Sequence, residues 1–276
     1  MKVEHGDFLL RLVFYVTLPA LILVSFSKIS LTMQYAYLPL ITVSLIFIMY
    51  VLSSILGKSL KLPGPRLGVF IIGTMILNNG FLLPFVVAAY GDEGLTRLLV
   101  FDFMNGILAF TWVYFIACKY GRNHYNRKTL ARKFLASVPI WAIIISITLN
   151  VRQVQLPQVL YNTFELAGNT TIPLIMLSLG AYFTPKLVYP KGIFIAILLR
   201  MLIGLIIGFA FSEIFGLSGL TRMIVLLGSS APIGFNTITF ASMEELDKEF
   251  AASLVSASIV TGIIYVPLFI FFMGAF

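Results

Sequence analysis

Charge is scarce in this sequence and cysteine nearly absent. Asp, Glu, Lys and Arg make up 11% of the 276 residues, against about 25% in soluble domains, and that shortage excludes a water-soluble globular fold. One cysteine, Cys118, excludes an intrachain disulfide. The two histidines, His5 and His124, lie in polar stretches outside the apolar runs, so no metal site can be assembled from Cys and His spacing. There is no HExxH, no Walker-type phosphate loop and no histidine inside an apolar run to act as a general base. The chain therefore does not read as an enzyme and calls for no cofactor.

What is abundant is apolar surface: 59% of the residues are hydrophobic and the mean hydropathy is +1.00. The implied solvent is lipid. A helix needs about 20 largely apolar residues to cross the hydrocarbon core. Such runs fall at about 8–26, 35–56, 67–90, 95–118, 134–149, 157–181, 192–215, 220–241 and 251–272. The expected fold is an all-α polytopic membrane protein of about nine transmembrane helices joined by short loops. The first run contains Arg11 and Pro19 and is not followed by a small-residue cleavage site, so it reads as a retained span rather than a signal peptide.

The formal charge of +8 follows topology. Fourteen of the 19 Lys and Arg residues fall on one set of alternating loops, four on the other, and Arg200 within a span. Short basic loops stay in the cytoplasm. The bias predicts a cytoplasmic-membrane protein with its N-terminus inside and its C-terminus outside. The basic stretch 119–133, KYGRNHYNRKTLARK, becomes a cytoplasmic connector, and no nucleic-acid partner is inferred from it.

A shift of 154 residues lays Pro19 on Pro173 and Gly80-Phe81 on Gly234-Phe235. The same shift superposes the spans near 35–56, 67–90 and 95–118 on those near 192–215, 220–241 and 251–272. The predicted organisation is a first repeat of four spans over 1–118, the connector 119–133, and a second repeat of five spans over 134–276. An odd number of spans per repeat inserts the halves in opposite orientation, as in many secondary transporters. A counterpart of the fifth span would precede Met1.

Two spans carry polar interruptions at matching depth. One contains Asn78, Asn79 and Gly80, followed by Pro84; the other contains Ser229, Ser230, Pro232, Gly234 and Asn236. Proline removes a backbone donor and glycine weakens a helix, so both spans should break near the bilayer centre. Each break creates a half-helix N-terminus, expected near Gly80 and Ile233, that favours an anion. The ends of the preceding halves, near Asn78 and Ser229, offer carbonyls suited to a cation. Crossed antiparallel, the two spans make a midplane polar site. The bland alternative is a pair of kinked helices whose asparagines are tied into helix packing.

Two acids lie inside spans, where charge is costly and marks a pathway or a partner. Asp102 has Asn105 on its face at i+3, and Glu165 is followed one turn later by Asn169, Thr170 and Thr171. Either carboxylate could bind a coupling proton or sodium ion. Against this, Asp102 could merely hold broken backbone, and Glu165 could be snorkelled or paired. Arg200 could pair with an acid, snorkel or meet an anionic substrate; Arg11 is expected to pair with Asp7. Gly204 and Gly208 have the spacing of a close helix contact.

Five stretches, RLVFYVTLPALIL, NNGFLLPF, FDFMNGILAFT, AGNTTIPLIMLSLGA and SSAPIGFNTITFA, resemble in sequence and order the auxin efflux carrier family. That family includes bacterial malate and malonate permease-like members. The resemblance implies ten helices in two inverted five-helix repeats. It also implies crossed broken helices that hold an organic anion, and elevator-type movement of a transport domain against a scaffold. By position, Asn78, Asn79, Pro84, Pro232 and Asn236 would line the crossing. The sequence departs from the family by lacking the first helix, which belongs to the scaffold and supports a homodimer; either the start is late or this member is short. The functional expectation is a secondary carrier for a small carboxylate such as malate or malonate, driven by H⁺ or Na⁺. A sodium/proton antiporter, a bile-acid-type sodium symporter and a non-transporting sensor derived from a carrier are the alternatives.

Overall fold

The computed structural model describes residues 3–27, 33–121, 138–182 and 187–274. Among them every regular element is helical, and the one extended pairing is an isolated antiparallel bridge between Leu77 and Ile233. The chain opens with α1 (Val3–Leu12) and α2 (Leu18–Ser27), joined by a wide π turn over Val13–Thr17. α3 (Met33–Ser59) and α4 (Gly64–Met75) follow. Next come α5 (Asn79–Leu108) and α6 (Tyr114–Tyr120), linked by a second wide turn, Ala109–Val113. The rest comprises α7 (Val138–Val151), α8 (Gln158–Asn169), α9 (Thr171–Tyr182) and α10 (Pro190–Ile197). A third wide turn, Leu198–Ile203, leads to α11 (Gly204–Ile214), and α12 (Gly219–Ser229), α13 (Asn236–Met243) and α14 (Lys248–Gly274) complete the chain.

Among the described residues four helical stretches are long and apolar enough to cross a membrane: Tyr35–Ser59, Asn79–Tyr120, Pro190–Ile214 and Lys248–Met273. The second has 42 residues and would measure about 63 Å if straight, twice the hydrocarbon thickness. It is not straight. Asn79 and Asp102, 23 residues apart, are hydrogen-bonded at 2.8 Å, whereas a continuous helix would separate them by about 35 Å. The reversal lies at Gly91, whose φ of +59° is strained for any residue with a Cβ.

The outer surface suits lipid. Phe47, Val51 and Ile55 on α3, Phe194, Leu198, Leu202, Ile206 and Phe209 along α10 and α11, and Val260, Ile264, Leu268 and Phe271 on α14 are exposed at helical spacing. Asn78, Asn79, Asn105, Ser229, Ser230 and Arg200 are buried. An apolar exterior, with these polar side chains held within a largely apolar interior, follows from having no water in the bilayer core.

The helices pack in two groups. α1 and α2 pack against α7, α8 and α9, while α3, α4, α5 and α6 pack with α10 to α14. α5 also touches α2, α7 and α9 and so joins the groups. The second group holds the fully buried Phe70, Phe81, Phe101, Phe240 and Phe250 and both interrupted helices. Most of the 119–133 connector and the Asp7 side chain expected to pair with Arg11 lie outside the described residues.

Candidate functional site

The two interruptions meet. α4 ends at Met75, Ile76 is extended, and α5 starts at Asn79 with Asn78 as its cap. α12 ends at Ser229 and α13 starts at Asn236. Between these ends the strands of backbone run antiparallel: Asn78 N–H donates to the Pro232 carbonyl at 2.9 Å and Gly234 N–H donates to the Ile76 carbonyl at 3.1 Å. Asn78 Nδ2 adds a bond to the Ile233 carbonyl at 3.3 Å, and its Oδ1 accepts from Phe81 N–H at 3.3 Å. Four half-helix ends thus converge on one bridge, where two backbone bonds pair some of their free groups rather than leaving them in lipid.

Two of the expected boundaries move. Pro84 does not break its helix but sits buried inside α5, where its missing N–H leaves the Gly80 carbonyl without its i+4 helical donor. The second half-helix begins at Asn236 rather than near Ile233. The physical reason is that Ile233 is held extended in the bridge with Leu77, so the first turn opens only at Gly234, whose carbonyl accepts from Thr237 N–H at 3.1 Å. Ile233 N–H donates to Ser258 Oγ at 3.1 Å.

Side chains from α5 brace the first break. Asn105 Oδ1 accepts from Leu77 N–H at 3.1 Å and its Nδ2 donates back to the Leu77 carbonyl at 3.1 Å, so one amide matches both groups of one peptide residue. The second Nδ2 hydrogen reaches Asp102 Oδ1 at 2.7 Å, and Asn79 Nδ2 donates to the same oxygen at 2.8 Å. Both amide bonds fall on Oδ1, leaving Oδ2 as the open face of a half-buried carboxylate. Asn79 is 2% exposed and its Oδ1 has no hydrogen-bond partner. A carboxyl oxygen, a buried amide oxygen without a donor and the first turn of α5 therefore lie together.

The second break is braced from α10, α11 and α14. Ser230 Oγ donates to the Leu226 carbonyl at 2.7 Å and accepts from Tyr265 O–H at 2.9 Å. Arg200, within the wide turn, points into the carbonyl end of α12: Nη2 donates to Ser229 O at 2.9 Å and Nε to Ala231 O at 3.2 Å. Gly204 and Gly208 make the close contact their spacing foretells, since a Cβ at Gly204 would lie 2.2 Å from Ser229 O and one at Gly208 2.7 Å from Ser229 Cβ. At the bridge, a Cβ on Gly234 would lie 2.4 Å from Ile76 Cγ2, whereas one on Gly80 meets only Asn78 Oδ1 at 3.9 Å. Space is open beside the N-terminus of α5 and closed at the bridge.

The structure thus brings together Asn78, Asn79, Gly80, Asp102, Asn105, Ser229, Ser230, Pro232 and Gly234, with Asn236 half-buried at the start of α13. Pro84 lies one turn into α5. Glu165 stands elsewhere, in α8, which packs on α2, where it accepts from Tyr161 O–H at 3.2 Å. Ser258, Tyr265 and the carbonyl-bound Arg200 were not expected; a lone serine, tyrosine or arginine in an apolar span carries no signal of which neighbour it will meet. Among the described residues no group of three or more His, Cys, Asp or Glu could hold a metal.

The family model described as membrane transport protein matches residues 1–129 and 122–270. The chain is also 28% identical over 265 residues to an uncharacterized transporter of Methanocaldococcus jannaschii, an alignment covering 92% of this chain and 85% of that protein.

Proposed function

Because the chain belongs to the membrane transport protein family and is a multi-pass membrane transporter, we propose that it is a secondary active carrier of a small carboxylate such as malate or malonate. The carboxylate is read at the half-helix N-termini, beside Gly80 and Asn236. Asp102, with Asn79 and Asn105, holds the coupling H⁺ or Na⁺.

The observation that carries this reading is the crossing. The sequence offset of 154 pairs position 78 with position 232, and Asn78 N–H is bonded to the Pro232 carbonyl. A two-fold axis in the membrane plane brings equivalent residues together only where it passes between them, so the bond supports an inverted repeat of four and five spans, nine in all. A crossing of that kind places helix N-termini, with their partial positive charge, near the bilayer midplane. Oxygen-rich carboxylate and amide groups beside it suit H⁺ or Na⁺.

The two packing groups support an elevator movement: α3 to α6 with α10 to α14 form the transport body, and α1, α2, α7, α8 and α9 form the scaffold, a surface for a homodimer. The bias of Lys and Arg toward one set of loops, the basic connector among them, supports an N-terminus in the cytoplasm and a C-terminus outside, in the cytoplasmic membrane.

Uptake of labelled malate and malonate into proteoliposomes under an imposed H⁺ or Na⁺ gradient tests the proposal. Accumulation above equilibrium that collapses with the matching ionophore is the expected result. Sodium or proton exchange without any organic solute would replace it with an antiporter, and solute binding without flux would replace it with a sensor.

A further inference from the structure

Arg200 is the largest fully buried side chain among the described residues, and its hydrogen-bond partners are all backbone carbonyls. Besides the bonds to Ser229 and Ala231, Nη2 reaches Gly228 O at 3.5 Å, while Nη1 is buried without a partner. A guanidinium out of water must be compensated. Here the compensation comes from the negative end of the α12 dipole and its free carbonyls.

Most of the carbonyls at that end already accept a hydrogen bond. Leu226 and Leu227 receive Ser230 N–H, Gly228 receives Ala231 N–H, Pro232 receives Asn78 N–H, Ile233 receives Asn78 Nδ2, and Ser229 and Ala231 receive Arg200. A mobile cation at this end would meet the guanidinium charge and would have to displace it from Ser229 O and Ala231 O. The fold makes specific provision for this: the wide turn Leu198–Ile203 rotates Arg200 inward, and Gly204 and Gly208 let the helix backbone close on Ser229.

The other break differs. The position 154 residues earlier in the chain is Ile46, buried and apolar, so no base fills the carbonyl end of α4. Asp102 stands across from it instead, bonded through Asn105 to Leu77. The two arrangements touch, since Gly228 packs on the Phe101 ring next to Asp102.

We infer that Arg200 is a resident cation, a positioning residue that fills the carbonyl end of the second break in place of a mobile ion and so leaves the crossing a single cation vacancy, on the Asp102 side. The single-vacancy clause rests on the carrier reading; the filling of the carbonyl end does not.

The test is chemical rescue. Arg200→Ala, purified in detergent, is expected to unfold at a lower temperature than wild type. About 10–50 mM guanidinium chloride should raise that temperature, as a ligand bound only by the folded state does, with wild type unresponsive and choline chloride inert. Arg200→Lys should keep carboxylate flux within about threefold of wild type, while Arg200→Met, of similar length and no charge, should lose at least about tenfold.

Equal shifts by guanidinium in wild type and Arg200→Ala would overturn the inference, as would Met and Lys variants of equal flux. If Arg200→Ala does not fold, the comparison of Lys with Met decides. Guanidinium rescue of stability in a protein that moves no carboxylate would remove the carrier reading and leave the resident cation standing.

Discussion

The breaks at 76–78 and at 230–235 share one backbone bridge, but the side chains around them carry opposite charge. Around the first stand Asp102, Asn79 and Asn105; around the second stand Arg200, Ser230 and Ser258. The 154-residue offset puts Ser256 opposite Asp102 and Ile46 opposite Arg200, so each ionic group has a neutral counterpart. Near-symmetric backbone brings four helix ends to one place, and asymmetric side chains give those ends different work. A carboxylate with a free oxygen accepts an exchangeable cation; carbonyls already bound to a guanidinium do not.

Removing the charge on one side should separate the two roles most strongly. Asp102→Asn is expected to lower gradient-driven carboxylate accumulation by at least about fiftyfold, whereas Ser256→Ala at the equivalent position should stay within about twofold. Proteoliposome uptake measures both, and equal losses would dissolve the asymmetry.

The braces should differ next. Asn105→Ala leaves the buried Leu77 N–H and C=O unpaired and should cost about 2–5 kcal/mol, against about 1–3 kcal/mol for Ser258→Ala, which strands only Ile233 N–H. Thermal unfolding in detergent should rank Asn105→Ala below Ser258→Ala, and the reverse order would show the second break to be the more dependent on its brace.

The glycines sharpen the contrast at lower amplitude. Gly234→Ala drives a Cβ into Ile76 and should cost about 1–3 kcal/mol by overpacking. Gly80→Ala has room, so it should fold as wild type while raising the carboxylate KM severalfold, because the new methyl enters the space beside the α5 N-terminus. A Gly80→Ala protein with unaltered KM would place the substrate elsewhere.

Smallest of all, Glu165→Gln in α8 should leave ion dependence unchanged within about twofold; a loss of coupling there would move the exchangeable cation out of the crossing.

Much of the candidate site was legible because polarity is so conspicuous in apolar spans. Asn78-Asn79-Gly80 and Ser229-Ser230 with Pro232 mark both interruptions, and Asp102 with Asn105 at i+3 marks a shared helix face that the structure uses for one hydrogen-bond cluster. The helical fold and its lipid-facing surface follow from composition and spacing alone.

What escaped depends on long-range bonds. The start of α13 slips from Ile233 to Asn236 because Leu77, distant in sequence, holds Ile233 extended in the bridge. Pro84 reads as a breaker, yet the helix runs through it, at the loss of one i→i−4 bond to the Gly80 carbonyl. The wide turn that aims Arg200 breaks the 3.6-residue period on which any sequence-based placement relies, so its direction could not be read. Glu165 and Asp102 look alike in sequence as span-embedded acids with polar neighbours; only packing separates the one beside α2 from the one at the bridge.

Charge movement in proteoliposomes adsorbed on a solid support, scanning mono- and dicarboxylates at two pH values with and without sodium, tests the crossing site most directly. A solute-specific current that requires H⁺ or Na⁺, vanishes in Asp102→Asn and survives in Ser256→Ala is expected. A current of wild-type size in Asp102→Asn would contradict it.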